Sequence, residues 1–221
     1  MKQEIITTAD GSKTIYLPEW NETYHSKHGA VQEAKHVYIE AGLKYCHNLT
    51  NKKSLNILEI GFGTGLNAFL SAIYAKRNKI KLNYHAIEKY PLSTQLVNSV
   101  NYAQELEIDN LMFNKMHNMA WEKLIEIHNC FSLKKIEVDL HLFESQENFD
   151  VVFFDAFGPR VQPELWAKQI LEKLYNMMTK NGVLVTYSCK GSVRRDLQSI
   201  GFKVVKIPGP PGKREMLRAQ S

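Results

Sequence analysis

The 221-residue sequence predicts an α/β fold built on a doubly wound, mostly parallel sheet. Three observations predict it. A short apolar stretch, Leu55 to Leu58, leads through Glu59 and Ile60 into the glycine turn Gly61-Phe62-Gly63-Thr64-Gly65 and on into the helically spaced Leu66-Asn67-Ala68-Phe69-Leu70. Apolar runs of strand length then alternate with helical patterns to the end of the chain. The last two runs are joined by Pro208-Gly209-Pro210-Pro211-Gly212, which points to an antiparallel final hairpin.

Taken in order, residues 1–20 read as a β-hairpin: Ile5-Ile6-Thr7-Thr8, an Asp10-Gly11 turn, then Thr14-Ile15-Tyr16-Leu17, closed by Pro18. A polar loop containing Tyr24 and His25 follows. A helix is expected from about Ala30 to Asn48, with Val31, Ala34, Val37, Tyr38 and Ala41 on its apolar face. Strands are expected at 56–60, 82–88, 135–139, 150–155, 182–188, 203–206 and 215–218, and helices starting near Leu66, Pro91, Pro163 and Val193. Residues 111–131 read as an insert, partly helical around Trp121. The chain is expected to be a single domain, with residues 1–54 as an extension and 55–221 as the Rossmann-like core.

Bulk properties narrow the class. Hydrophobic content of 44% and charged content of 23% are ordinary for a soluble globular protein. The sequence contains no apolar run of membrane-spanning length and no secretory leader pattern. Cys46, Cys130 and Cys189 are odd in number and far apart, suggesting neither a disulfide framework nor a zinc site, so a reducing cytoplasm is expected. The net charge of +5 is uneven: from Lys180 onward nine Lys or Arg face two acids. Such a segment fits a polyanionic partner as well as plain solvated charge.

The glycine turn is the strongest chemical signal. Its G-x-G-x-G spacing differs from the G-x-G-x-x-G dinucleotide fingerprint and, with Glu59 just before it, resembles motif I of class I S-adenosylmethionine-dependent methyltransferases. Glu59, Gly61, Gly63, Thr64, Gly65 and Asn67 are therefore expected around a cofactor, with Glu88 at the end of the second strand on its ribose and Asp139 at the end of the third on its adenine. The fully apolar fourth strand delivers Asp155-Ala156-Phe157-Gly158-Pro159 to the same edge of the sheet. A carboxylate leaving such a strand is poorly explained as packing, because burying it unpaired is costly. At this place amine methyltransferases keep an acid or amide that lines up the acceptor amine, so Asp155 is the expected catalytic group and Phe157 a stacking surface for a planar base. Lys190, Arg194, Arg195, Lys213 and Arg214 are expected to meet phosphates. Cys189 lacks a nearby activating His and is a weak candidate nucleophile.

Together these segments resemble the methyltransferase domain of the bifunctional tRNA 5-methylaminomethyl-2-thiouridine biosynthesis protein MnmC, in standalone form. The resemblance rests on Asp10-Gly11-Ser12, Tyr24-His25-Ser26, Gly29-Ala30, Glu33-Ala34 and Gly61 to Asn67, together with Asp155 to Pro159, Pro163 to Trp166, Val193-Arg194-Arg195 and Gly212 to Met216. It implies a class I methyltransferase core of seven strands with an antiparallel last strand. It also implies S-adenosyl-L-methionine as cofactor without flavin or metal, and the wobble 5-aminomethyl-2-thiouridine of tRNA, in the anticodon region, as acceptor. Tyr24, His25, Phe157 and Pro159 would lie around that base. No membrane or obligate protein partner is implied. Two other classes remain: an aminopropyltransferase acting on a small polyamine, and a non-catalytic RNA-binding protein on a methyltransferase fold.

Overall fold

In the computed structural model, which describes residues 2–221, helices cover both faces of an eight-stranded mixed sheet. Three short strands precede it: β1 (Glu4–Thr7), β2 (Lys13–Leu17) and β3 (Glu22–Thr23), forming a separate antiparallel sheet. The turn between β1 and β2 caps the first helix from a distance. Asp10 Oδ2 accepts the Gln32 N–H at 2.9 Å, and the Ser12 hydroxyl accepts that of Ala30 at 3.2 Å. These bonds satisfy donors that a helix start leaves open. The expected hairpin is present, with β3 as a third strand that the sequence reading lacked.

The helix expected from Ala30 runs as three contiguous pieces: α1 (Ala30–Ala34), a ten-residue π-helix (Lys35–Lys44) and α2 (Tyr45–Thr50). A π segment of this length is unusual, and such segments tend to mark functional sites. Gly42 lets it lie close to the sheet, since a Cβ there would stand 2.8 Å from Val185 and 3.1 Å from Phe153.

The main sheet contains β4 (Ser54–Ile60), β5 (Lys81–Glu88), β6 (Ile125–His128), β7 (Phe131–Glu137), β8 (Phe149–Phe154), β9 (Met178–Thr186), β10 (Lys203–Pro208) and β11 (Glu215–Gln220). Their order is β10-β11-β9-β8-β4-β5-β7-β6. β4, β5, β7, β8 and β9 are mutually parallel, while β11 runs antiparallel to both β9 and β10. The sheet therefore has one strand more than the seven expected. The addition is β6, an edge strand antiparallel to β7. It comes from the insert, which follows the short helices α4 (Thr94–Val97) and α5 (Tyr102–Glu105) and also holds helix α6 (Leu111–Asn118); Trp121 lies in a turn and not in a helix. The expected third strand at 135–139 is shifted to β7, so Asp139 lies two residues beyond its end. Among the described residues no helix is long and apolar enough to cross a membrane.

Helix α3 (Leu66–Asn78) follows the glycine turn, and α7 (Lys168–Asn176) and α8 (Gly191–Ile200) cover the opposite face. Side-chain alternation along β8 sorts the two cores. Val151 and Phe153 pack with Val37, Tyr38, Phe69 and Tyr84 on the face of the π segment and α3, whereas Val152 and Phe154 pack with Ile170, Leu174 and Leu197 under α7 and α8. Burial on both faces is what a central parallel strand requires. Continuing the period of two, Asp155 falls on the side of the π segment and α3.

Candidate active site

A cleft of about 700 Å³ opens at the carboxyl ends of β4, β5, β7, β8 and β9. This is the edge where ligands bind in open α/β sheets. Its floor is the glycine turn. Gly61, Gly63 and Gly65 all take positive φ, at 90°, 49° and 75°. Two of them are also confined by protein atoms, since a Cβ on Gly61 would stand 2.8 Å from the Asp155 carbonyl oxygen and one on Gly65 2.7 Å from His117 Nε2. The turn is therefore held by its neighbours as well as shaped for a ligand. Thr64 is part of that support. Its hydroxyl accepts a hydrogen bond from Tyr102 at 3.1 Å, and its carbonyl lies 3.1 Å from His117 Nε2.

Glu88 leaves the end of β5 and accepts the Gly63 N–H at 3.0 Å and the Tyr90 N–H at 2.9 Å. Two backbone donors leave lone pairs on both oxygens for hydroxyl groups in the cleft. Burial pushes its carboxyl above the ordinary range. Asp139 also lines the cleft, but Lys89 Nζ sits 2.8 Å from it and the His141 N–H donates to it at 2.9 Å.

The acidic residues behind the turn form one hydrogen-bonded string. Glu59 is completely buried and does not line the cleft. The Asn67 side-chain amide joins it to Asp155, donating to Glu59 Oε1 at 2.9 Å and to Asp155 Oδ2 at 2.7 Å. Burial, and then the charge of Asp155, hold the Glu59 carboxyl well above its usual range. Its second oxygen has no partner among the described residues. Asp155 itself faces the cleft, and Tyr38 donates its hydroxyl to Oδ1. Burial raises the Asp155 carboxyl to about 7 against the lowering effect of the Tyr38 hydrogen bond.

Aromatic rings form the wall facing Asp155. Tyr24 meets Phe157 edge-on with centroids 5.1 Å apart, and Trp20 does the same from the other side at 5.4 Å. Arg160 fastens this loop to the N-terminal segment, donating to Glu22 at 2.6 Å and to the Trp20 carbonyl at 3.0 Å. His25, although at the cleft wall, is 8% exposed. Its ring nitrogen lies 3.1 Å from the Thr14 hydroxyl, and burial lowers its pKa to about 4. Burial thus keeps it neutral, held by Thr14 at the cleft lining. Pro159 shapes the turn after Phe157 without lining the cleft.

The basic residues divide. Lys213 enters the cleft and is already paired, 2.7 Å from Glu33 and 3.9 Å above the Tyr187 ring. A phosphate contact of Lys213 would compete with this ion pair. Lys190, Arg194, Arg195 and Arg214 stay outside the cleft lining. Strand pairing places them together: β11 starts opposite the end of β9, so the loop carrying Arg214 adjoins the segment leading into α8. The Glu215 carboxyl, held low first by Lys206, also feels Arg214 and Arg194. Residues that sequence reasoning missed are Tyr38, Glu33, Arg160 and Tyr187. Tyr38 alone carried a signal, a polar tip on an otherwise apolar helix face.

Comparison with known proteins agrees with this geometry. A family described as S-adenosyl-L-methionine-dependent methyltransferase matches residues 104–221. The tRNA 5-methylaminomethyl-2-thiouridine biosynthesis bifunctional protein MnmC of Leptospira interrogans serogroup Icterohaemorrhagiae serovar copenhageni is 30% identical over 213 residues, covering 90% of this chain and 32% of the relative. The chain thus spans about a third of the length of the curated relatives it matches. Among solved structures, MNMC2 from Aquifex aeolicus superimposes with a TM-score of 0.77 at 28% identity, covering 99% of this chain and 70% of that one. Spermidine synthase from Thermotoga maritima covers all of this chain and 72% of its own, with a TM-score of 0.56 at 11% identity, a likeness of fold alone.

Proposed function

The chain belongs to the family of S-adenosyl-L-methionine-dependent methyltransferases that matches its residues 104–221, and from that premise we propose that it methylates the exocyclic amine of 5-aminomethyl-2-thiouridine at the tRNA wobble position. The observation that carries the reading is Asp155, a carboxylate at the end of a fully buried strand, facing a cleft walled by Tyr24, Phe157 and Trp20. The rings already touch one another edge-on, so on this reading a planar base stacks on an open ring face while its amine reaches the carboxylate. The names of the relatives support the choice of acceptor.

The fit of the cofactor rests on the glycine turn, the free lone pairs of Glu88 and the position of Asp139. Gly61, Gly63 and Asn67 would border its methionine end, Glu88 its ribose and Asp139 its adenine. Glu59 and Gly65 act from behind the turn. When bound, S-adenosyl-L-methionine supplies an electrophilic methyl group without need of a metal.

Asp155 then has two tasks. It aligns the amine, and it takes up the proton that an alkylammonium must lose before its lone pair can attack. With its carboxyl near 7, that transfer from an amine of about 10.4 is uphill by roughly three units, or about 4–5 kcal/mol; an ordinary aspartate would make it roughly six units, or about 9 kcal/mol. The nitrogen–methyl bond would form as the methyl–sulfur bond breaks, leaving S-adenosyl-L-homocysteine and a secondary ammonium, and the proton on Asp155 passes to solvent.

The polyamine alternative deserves a direct comparison, because the cleft is acidic. Glu22, Glu33, Glu88, Asp139, Asp155 and Glu164 line it, and of the basic C-terminal segment only Lys213 enters. Glu22, Glu33 and Asp139 are, however, engaged by Arg160, Lys213 and Lys89. Nucleoside mass spectrometry decides between the readings. tRNA already carrying 5-aminomethyl-2-thiouridine, incubated with the protein and S-adenosyl-L-methionine, should gain one methyl on that nucleoside. Transfer from decarboxylated cofactor to a polyamine, with no change in the tRNA, would replace this reading by the other.

Outside the cleft, Lys190, Arg194, Arg195 and Arg214 are proposed to hold phosphates of the anticodon stem. Phosphate contacts release counterions, so affinity falls as salt rises and each lost contact flattens that slope. The Arg194→Ala, Arg195→Ala double variant should lose tRNA affinity and reduce the slope of log affinity against log salt by about one to two, while cofactor affinity stays unchanged. An unchanged slope in salt titrations would place the RNA elsewhere.

A further inference from the structure

Tyr38 is the least expected participant in the string behind the cleft. It lies in the π segment, 1% exposed, with its ring 5.3 Å from Phe153 in the core. Its hydroxyl is 117 residues away in sequence from the carboxylate it contacts. For a buried tyrosine, packing alone would leave the hydroxyl without purpose, whereas here it ends on Asp155, a carboxylate that lines the cleft.

We propose that Tyr38 is a positioning residue for methyl transfer. Its hydroxyl, donated to Asp155 Oδ1 opposite the Asn67 amide on Oδ2, fixes the plane of the carboxylate and leaves one lone pair on each oxygen directed to the acceptor amine. A carboxylate held by one donor could rotate about its terminal torsion; held by two on different elements, it cannot. The ten-residue π turn is what places the phenol there, because Gly42 lets the helix approach β8 and β9 closely enough for the ring to reach past Phe153. This inference rests on reading Asp155 as the group that receives the amine.

Fixed donors also favour the ionised carboxylate. Every element around Asp155 contributes to that balance. Glu33 on α1, Glu59 on β4 and the hydroxyls of Tyr84 on β5 and Tyr187 after β9 surround it, while Lys213 from the last hairpin, Asn67 and Tyr38 oppose the acids. Removing the Tyr38 hydroxyl changes one donor and leaves the ring packing in place.

The test follows the Asp155 carboxyl directly, by nuclear magnetic resonance of the full chain labelled with ¹³C in aspartate side chains. The Asp155 signal is identified by its absence from Asp155→Asn. In Tyr38→Phe the titration midpoint should move upward by about one pH unit, a tenfold gain in proton affinity. The same variant should show a lower single-turnover rate whose pH profile moves with the titration, with cofactor affinity unchanged. Incorporation of 3-fluorotyrosine at position 38 makes a stronger donor in the same volume and should move the midpoint downward, which serves if Tyr38→Phe does not fold. A midpoint that stays put in folded protein of either kind overturns the role of Tyr38. The titration needs no tRNA, so a shifted midpoint without methylation of tRNA would sink the acceptor assignment and not this contact.

Discussion

Replacing Asp155 by Ala is expected to slow single-turnover methylation of tRNA by at least about 100-fold, within the range that a positioned acid–base group contributes. Cofactor affinity should change far less, because in the proposed reading Asp155 meets the amine and is linked to the proposed cofactor end only through Asn67. A rate within about tenfold of the parent, only ~1.4 kcal/mol of barrier, would remove it from the catalytic role. The same residue has a stability signature of opposite sign. Its carboxyl titrates near 7 in the folded protein against about 3.9 in the unfolded chain. Between those values the native state binds more protons, so stability from the protonated form is fully present below about 3.9 and is lost as pH rises through 7. Asp155→Asn removes that loss. Its Tm relative to the parent should therefore rise between pH 5 and pH 8, while its activity disappears. A Tm difference that stays flat across this range would show that Asp155 is not held in the state described.

Gly63→Val is expected to reduce S-adenosyl-L-methionine affinity at least about 100-fold by calorimetry. Two effects combine. The residue sits at a φ of 49°, which a β-branched side chain resists. A Cβ would also press against the Tyr24 ring at 3.1 Å. The new side chain thus meets the cleft wall before any ligand. Moving the turn would also strain the Gly63 N–H bond to Glu88 and with it the proposed ribose contact. Since the strain could unfold the protein, circular dichroism of the variant accompanies the titration. Folded protein with parental affinity would mean that the cradle lies elsewhere.

The features legible in the sequence are local ones. The apolar run ending at Asp155 reads as a buried strand because a fully buried parallel strand needs apolar residues on both faces. The glycine turn reads as such because positive φ selects glycine. The hairpin, the helix after the turn and the antiparallel end of the sheet were all marked by spacing and by turn residues. The insert was harder. Its edge strand β6 is four residues long with a register shift against β7, too short and irregular for a clear period. The π segment was hidden for a related reason: the apolar spacing from Val31 to Ala41 suits an ordinary helix, and the close approach of Gly42 to β8 and β9 is a tertiary contact that spacing does not show.

What the sequence determined by itself was therefore the order of the core strands apart from β6, the glycine turn and the carboxylate that emerges from β8, because each depends on neighbours a few residues away. The tertiary structure alone decided who those groups touch. Tyr38 reaches Asp155, Asn67 bridges two buried acids, and Lys213 pairs with Glu33, 180 residues distant. Such pairings depend on which faces of which elements the packed sheet brings together. Helix winding and sheet register fix those faces, and both are set by burial of the whole core rather than by any one stretch of chain.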